Sequence, residues 1–213
     1  LSSGQATAAF HLLFNLLMAL IGLPLLDPMA ALLRKLLPDR PAAEDPRRPI
    51  YLDPSAHLTP EIAIGNAARE VLRLADTLEE MLVGARDALS SGDRRATATV
   101  RELDDVLDSL NGAVNAYLTA VDHEDLSEEN LARVNQLLAF SMNIEQAGDV
   151  VDRALLAHNV KRIRRGMTFT PEEERELISQ MDRLIANLRT AASLLVTGDP
   201  RAARQLAREK ERF

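Results

Sequence analysis

The chain has 213 residues, a formal net charge of −7, 3% aromatic residues and neither Trp nor Cys. Excess acid and few aromatic stacking platforms argue against nucleic acid as a partner. The lack of Cys excludes disulfides, thiolate metal sites and Cys nucleophiles. Hydrophobic residues make up 46% of the chain, with Gly and Pro at punctuation points. This is the composition of an all-α protein with a substantial core.

The stretch from Ala8 to Leu26 contains no Asp, Glu, Lys or Arg. As a helix it would extend close to the ~30 Å of a bilayer's hydrocarbon core. It is apolar on all sides, which leaves two readings: a membrane helix, or a buried helix of a larger bundle. The flank favours the first. Arg34, Lys35, Arg40, Arg47 and Arg48 follow it, and clustered cations mark the cytoplasmic side of a span. Pro24 and Pro28 end or kink this helix. Met29 to Leu37 reads as a short amphipathic helix at the membrane interface or a continuation of the span. Pro38 to Pro54 is proline-rich, of mixed charge and without helical period, and reads as a linker.

From Thr59 the pattern is helical. Thr59-Pro60-Glu61 supplies a cap, a proline at the first helical position and an acid in the first turn. The first helix runs to about Leu89 on Val71, Leu74, Leu78, Met81, Leu82 and Ala85. The turn Ser90 to Asp93 leads into a second helix to about Val121, on Val100, Leu103, Leu107, Leu110, Val114 and Leu118. Ser127 caps a third, ending near Arg164, with Leu131, Val134, Leu138, Ser141, Ile144, Gly148, Val151 and Leu155 along one stripe. Then the punctuation repeats. Phe169-Thr170-Pro171-Glu172 echoes Leu58-Thr59-Pro60-Glu61, and Gly198-Asp199 echoes Gly92-Asp93, at an offset of roughly 110 residues. The expected organisation is 1–38 as a membrane segment with an interfacial helix, 39–57 as linker, 58–166 as an antiparallel three-helix unit, and 167–213 as the start of a second copy. Leu1 is not a start Met and the last residues read as open helix, so the chain is expected to be a piece of a longer protein.

Three segments resemble the bacterial sodium/phosphate cotransporter family, whose transport domain is followed by a PhoU-like domain. Ala9-Phe10-His11-Leu12-Leu13-Phe14-Asn15 is similar to the His-x-x-Phe-Asn segment of its last transmembrane part. Tyr51-Leu52-Asp53 with Leu58-Thr59-Pro60-Glu61 resembles the beginning of its PhoU-like domain. Ile144-Glu145-Gln146-Ala147-Gly148-Asp149 resembles the Glu/Asp-x-x-x-Asp motif of a PhoU repeat. The Gln-Ser-Ser motifs of the family's substrate region are absent from this sequence. The resemblance implies a sodium-dependent inorganic phosphate transporter in the bacterial inner membrane, with residues after about 38 cytoplasmic and forming a regulatory bundle. It also implies Na⁺ as coupling ion, phosphate as cargo and a protein regulator as partner. The alternative is a membrane-anchored helical interaction or signalling module without transport; a wholly soluble bundle is a third reading. No nucleophile–base pair or phosphate-cradling Gly loop is present, so the chain reads as a non-enzyme.

Two sets of polar residues are candidate sites. His11 and Asn15 share one helix face. They serve either transport or an interhelical hydrogen bond within the membrane. Glu145, Asp149 and Asp152 form an acidic stripe, and Asp104, Asp108, Asn111 and Asn115 a second one. Such stripes are either solvated faces or, if they meet across a bundle, oxygen ligands for a hard divalent cation such as Mg²⁺, Mn²⁺ or Fe²⁺. Metal sites of this kind in PhoU-like proteins make that reading one the resemblance implies.

Overall fold

The computed structural model describes residues 9–20, 23, 24, 29, 45–92, 94–122, 126–209 and 211, and among these there is no strand. The chain divides into two compact units, Leu1–Asp45 and Pro46–Phe213.

In the first unit, residues 9–20 are helical, with their large apolar side chains exposed: Phe10 is 66% and Leu12 72% accessible. Residues 23 and 24 are also helical. Among the described residues no helix is long and apolar enough to cross a membrane. The other residues of the expected Ala8 to Leu26 span lie outside the described residues, as do residues 30–37 of the expected interfacial helix. His11 and Asn15 both lie on helix 9–20 and are exposed.

The second unit is a helical bundle. A 3₁₀ turn at Pro54–Leu58 leads into α1 (Pro60–Ser91), followed by α2 (Arg94–Thr119) and α3 (Glu128–Asp149). A π-helical segment, Val150–Leu156, continues α3 without a break into α4 (Ala157–Arg164). The chain turns into α5 (Pro171–Thr197) and α6 (Pro200–Glu209). Helix α1 is the hub, packed against α2, α3 and α5, while α2 also packs on α3 and α6 on α5.

Cross-helix pairs give the directions. Ser141 Oγ donates to Asn111 Oδ1, and further along the same pair of helices Arg101 bonds Asp152 at 3.0 Å, so α2 and α3 are antiparallel. Asn130 bonds Glu61 near the start of α1, and Asn159 Nδ2 donates to the Ala88 carbonyl near its end, so α1 and α3–α4 are parallel. Arg86–Asp182 at 2.8 Å and Arg189–Glu79 at 2.6 Å run α5 antiparallel to α1. The apolar stripes read from sequence lie at this centre: Val71, Leu74, Met81, Leu107, Leu110, Val114, Leu118 and Val134 are buried. Removing them from water is the main driving term for the bundle.

The two echoing landmarks are built alike. Pro60 and Pro171 open their helices, and Gly92 and Gly198 close them in the left-handed region, at φ 67° and 60°, where a side chain would be strained. The starts differ in one respect. Thr170 and Glu173 form a reciprocal capping box, whereas Thr59 makes no side-chain cap bond. The third helical residue after Thr59 is Ile62, which offers no carboxylate to close the box.

The third helix departs from its expected stripe. Buried positions run Val134, Leu137, Ser141, Ile144, Gly148 and Val151, and then step by five to Leu156. Of the residues expected on the core stripe, Leu138 and Leu155 are only half-buried and Leu131 is exposed. For Leu155 the π segment supplies the reason, because a wider turn absorbs one extra residue and moves the stripe along by one.

Candidate functional site

The two acidic stripes meet. Gly148 of α3 lies directly against α2: a Cβ there would lie 2.6 Å from Leu107 Cδ1 and 3.3 Å from Asp104 Oδ1. The absent side chain lets α3 settle against α2, bringing Asp104 and Asp108 towards Glu145, Asp149 and Asp152. Immediately after Asp149 the helix widens into the π segment that carries Asp152. Asn111 and Asn115, also on the α2 stripe, are used structurally. Asn115 Nδ2 donates to Asn111 Oδ1, which also accepts the Ser141 hydroxyl.

The electrostatics follow from this convergence. Partial burial, then the charges of Asp108, Asp152 and Asp149, push the Asp104 carboxyl up to about 6. Burial, then Asp149 and Asp108, raise Glu145 above the usual carboxylate range. Arg153 acts against both shifts. Two of the acids have cationic neighbours. Arg101 Nε bonds Asp152 Oδ1 at 3.0 Å, and Arg153 lies 2.9 Å from Asp149 Oδ1, off the hydrogen-bond line. Both arginines are more than half exposed, whereas the Asp152 and Asp149 side chains they face are only 19% and 25% exposed.

The donors are all oxygen, the chemistry of a hard cation. As placed, however, no three carboxylates among the described residues form a group that could hold a metal ion. A cation would have to draw Asp149 and Asp152 from their arginines. Elsewhere on α1, Asp76 and Glu80 are exposed.

Glu70 escaped the sequence reading. It is wholly buried, its Oε2 accepting the backbone N–H groups of Ile50 (2.9 Å) and Tyr51 (2.8 Å) and its Oε1 the Arg73 guanidinium (2.7 Å). The signal was present: Glu70 falls among Ala63, Ala67, Val71 and Leu74, a lone carboxylate on an apolar face. A charge at such a position must find buried partners.

Residues 71–154 match the PhoU domain. All five acids lie within that stretch. Over its whole length the chain is 35% identical to the "Putative inorganic phosphate export protein YjbB" of Escherichia coli (strain K12), and 32% identical to the protein of the same name in Salmonella typhimurium (strain LT2). The chain spans about two fifths, 39%, of the length of these relatives. No solved structure matches it. The helical bundle with its paired acidic stripes thus carries a PhoU domain match at residues 71–154, in a chain homologous from end to end to part of these relatives.

Proposed function

We propose that this chain is part of a membrane transporter that moves inorganic phosphate out of the cell, and that its helical bundle regulates that movement. The similarity along all 213 residues to proteins named for phosphate export carries this reading. Export in such a protein proceeds by binding and alternating access, with no covalent step. The apolar residues 9–20 suit a lipid or protein surround, because so many exposed large apolar side chains are unfavourable in water. On this reading they belong to a span over Ala8 to Leu26 in the bacterial inner membrane, with the bundle in the cytoplasm. His11 and Asn15 then face a neighbouring helix or the transport path. Sodium coupling and a protein regulator rest on the family resemblance alone. The acidic face at Asp104, Asp108, Glu145, Asp149 and Asp152 is where a hard divalent cation would be held, neutralising carboxylates that now repel one another.

The test is phosphate release from phosphate-loaded cells making the full-length protein. The parent should release phosphate faster than cells without it. Glu145→Gln/Asp149→Asn should change that rate at unchanged protein level. If the parent releases none, the alternative of an anchored interaction module takes its place.

A further inference from the structure

Residues 46–53 do not run free as a linker. They lie along α1 and α2 as a strap of turns and bends, held mainly by polar ties. Glu70 takes the Ile50 and Tyr51 amides. Arg73 donates to the carbonyls of Arg48, at 2.8 Å, and Pro46. Arg47 pairs with Asp105 at 2.8 Å, and the Tyr117 hydroxyl donates to the Asp53 carbonyl at 2.8 Å. Just beyond, the His57 ring packs on Tyr117 with centroids 4.4 Å apart.

Apolar burial contributes little to this docking. Ile50 is 56% and Tyr51 40% exposed, and within the strap only Leu52 is half-buried against the core. A segment fixed by polar ties and little apolar surface opens more easily than the core beneath it. The open state also suits the bundle. Lifting the strap lets water reach Glu70, while Arg73 remains three residues away on the same helix to pair with it. The carboxylate that would be costly to strand under a fixed cover is left solvated and partnered.

We infer that residues 46–53 are a latch with Glu70 as its catch. The strap opens and closes as one unit on α1 and α2, without unfolding the bundle. Closed, it holds the Pro46 and Arg48 carbonyls on Arg73; open, it releases them.

Amide hydrogen exchange on the full chain decides this. In the parent, the Ile50 and Tyr51 amides should exchange at least tenfold more slowly than in an unstructured peptide. They should also exchange at least a hundredfold faster than those of Leu107 and Leu110. Glu70→Gln should speed Ile50 and Tyr51 by tenfold or more and leave Leu107 and Leu110 within twofold of the parent. Tyr117→Phe keeps the buried ring and removes only the bond to Asp53. If the strap moves as a unit, this variant should still speed Ile50 and Tyr51, which it does not touch, by about threefold. Should Glu70→Gln unfold the chain, the parent and Tyr117→Phe carry the decision. The latch is overturned if Ile50 and Tyr51 exchange together with Leu107 and Leu110, if they are unprotected in the parent, or if Tyr117→Phe leaves them unmoved.

Discussion

Asp104 shows how a folded protein can hold an acid against its own preference. Its pKa of about 6 stands above the ordinary 3.8, so between those values the folded chain binds a proton that the unfolded chain does not. Its contribution to stability therefore rises as pH falls from 7 towards 4, the reverse of a salt-bridged carboxylate. The full shift corresponds to roughly 3 kcal/mol, and partial exposure reduces the realised effect to about 1 kcal/mol. An opposing loss sets in as pH falls through 4.5, because Glu79 and Glu173, and below 3.8 Asp53, have lowered values and give up their contributions as they protonate. Thermal melts should show Asp104→Asn more stable than the parent at pH 7.5, with the pH 4–7 slope flattened. The same melts test the cation. Mn²⁺ or Mg²⁺ bound only by the folded state must raise the parent's melting temperature, and Glu145→Gln/Asp149→Asn should lose that rise. An equal rise in both would leave the acidic stripes as solvated surface.

At the scale of elements, the π segment makes a sharp prediction. One extra residue is housed between Val151 and Leu156, and deleting a residue there should restore ordinary helical spacing. Deleting the exposed Ala154 should leave Leu156 and Asn159 against the core and shift the melting temperature by no more than a few degrees. Deleting the exposed Asn143 should turn every later residue of the helix by about 100° and abolish cooperative melting. The contrast explains which parts of the fold were legible in sequence. The stripes of α1 and α2 were readable because unbroken α-helix keeps its period, and Leu74 and Met81 on α1, with Leu107 and Val114 on α2, are buried where that period puts them. Past Val151 the same extrapolation pointed to Leu155, because periodicity carries no mark of where a turn widens. The facing acidic stripes were legible as spacing, with Gly148 between Glu145 and Asp149, although their separation depends on helix packing that spacing alone does not set. The docking of Pro46–Asp53 was not legible. Apart from the Arg47–Asp105 pair, its ties are to backbone groups, and backbone groups have no sequence signature.

The whole molecule sets an exposed apolar helix and a charged bundle in one chain, as two compact units. If residues 9–20 belong in a bilayer, the full chain should float with lipid vesicles on a density gradient, and residues 46–213 alone should stay in the buffer fraction. Co-flotation of both pieces, or of neither, would overturn the membrane reading. Within the bundle, α1 also constrains the chain's own history. Its inward surface includes Ala63, Ala67, Ala75, Ala85 and Ala88, all with 2% exposure or less. Alanines let neighbouring helix axes approach closely, and nearly every alternative side chain is larger. Overpacking typically costs about 1–3 kcal/mol. Substitution at these sites can therefore proceed in few directions without a matching retreat on α2, α3 or α5. Drift should accumulate on the outer helices and leave α1 as the slowest-changing part of the bundle, a ratchet set by the smallest side chains in it.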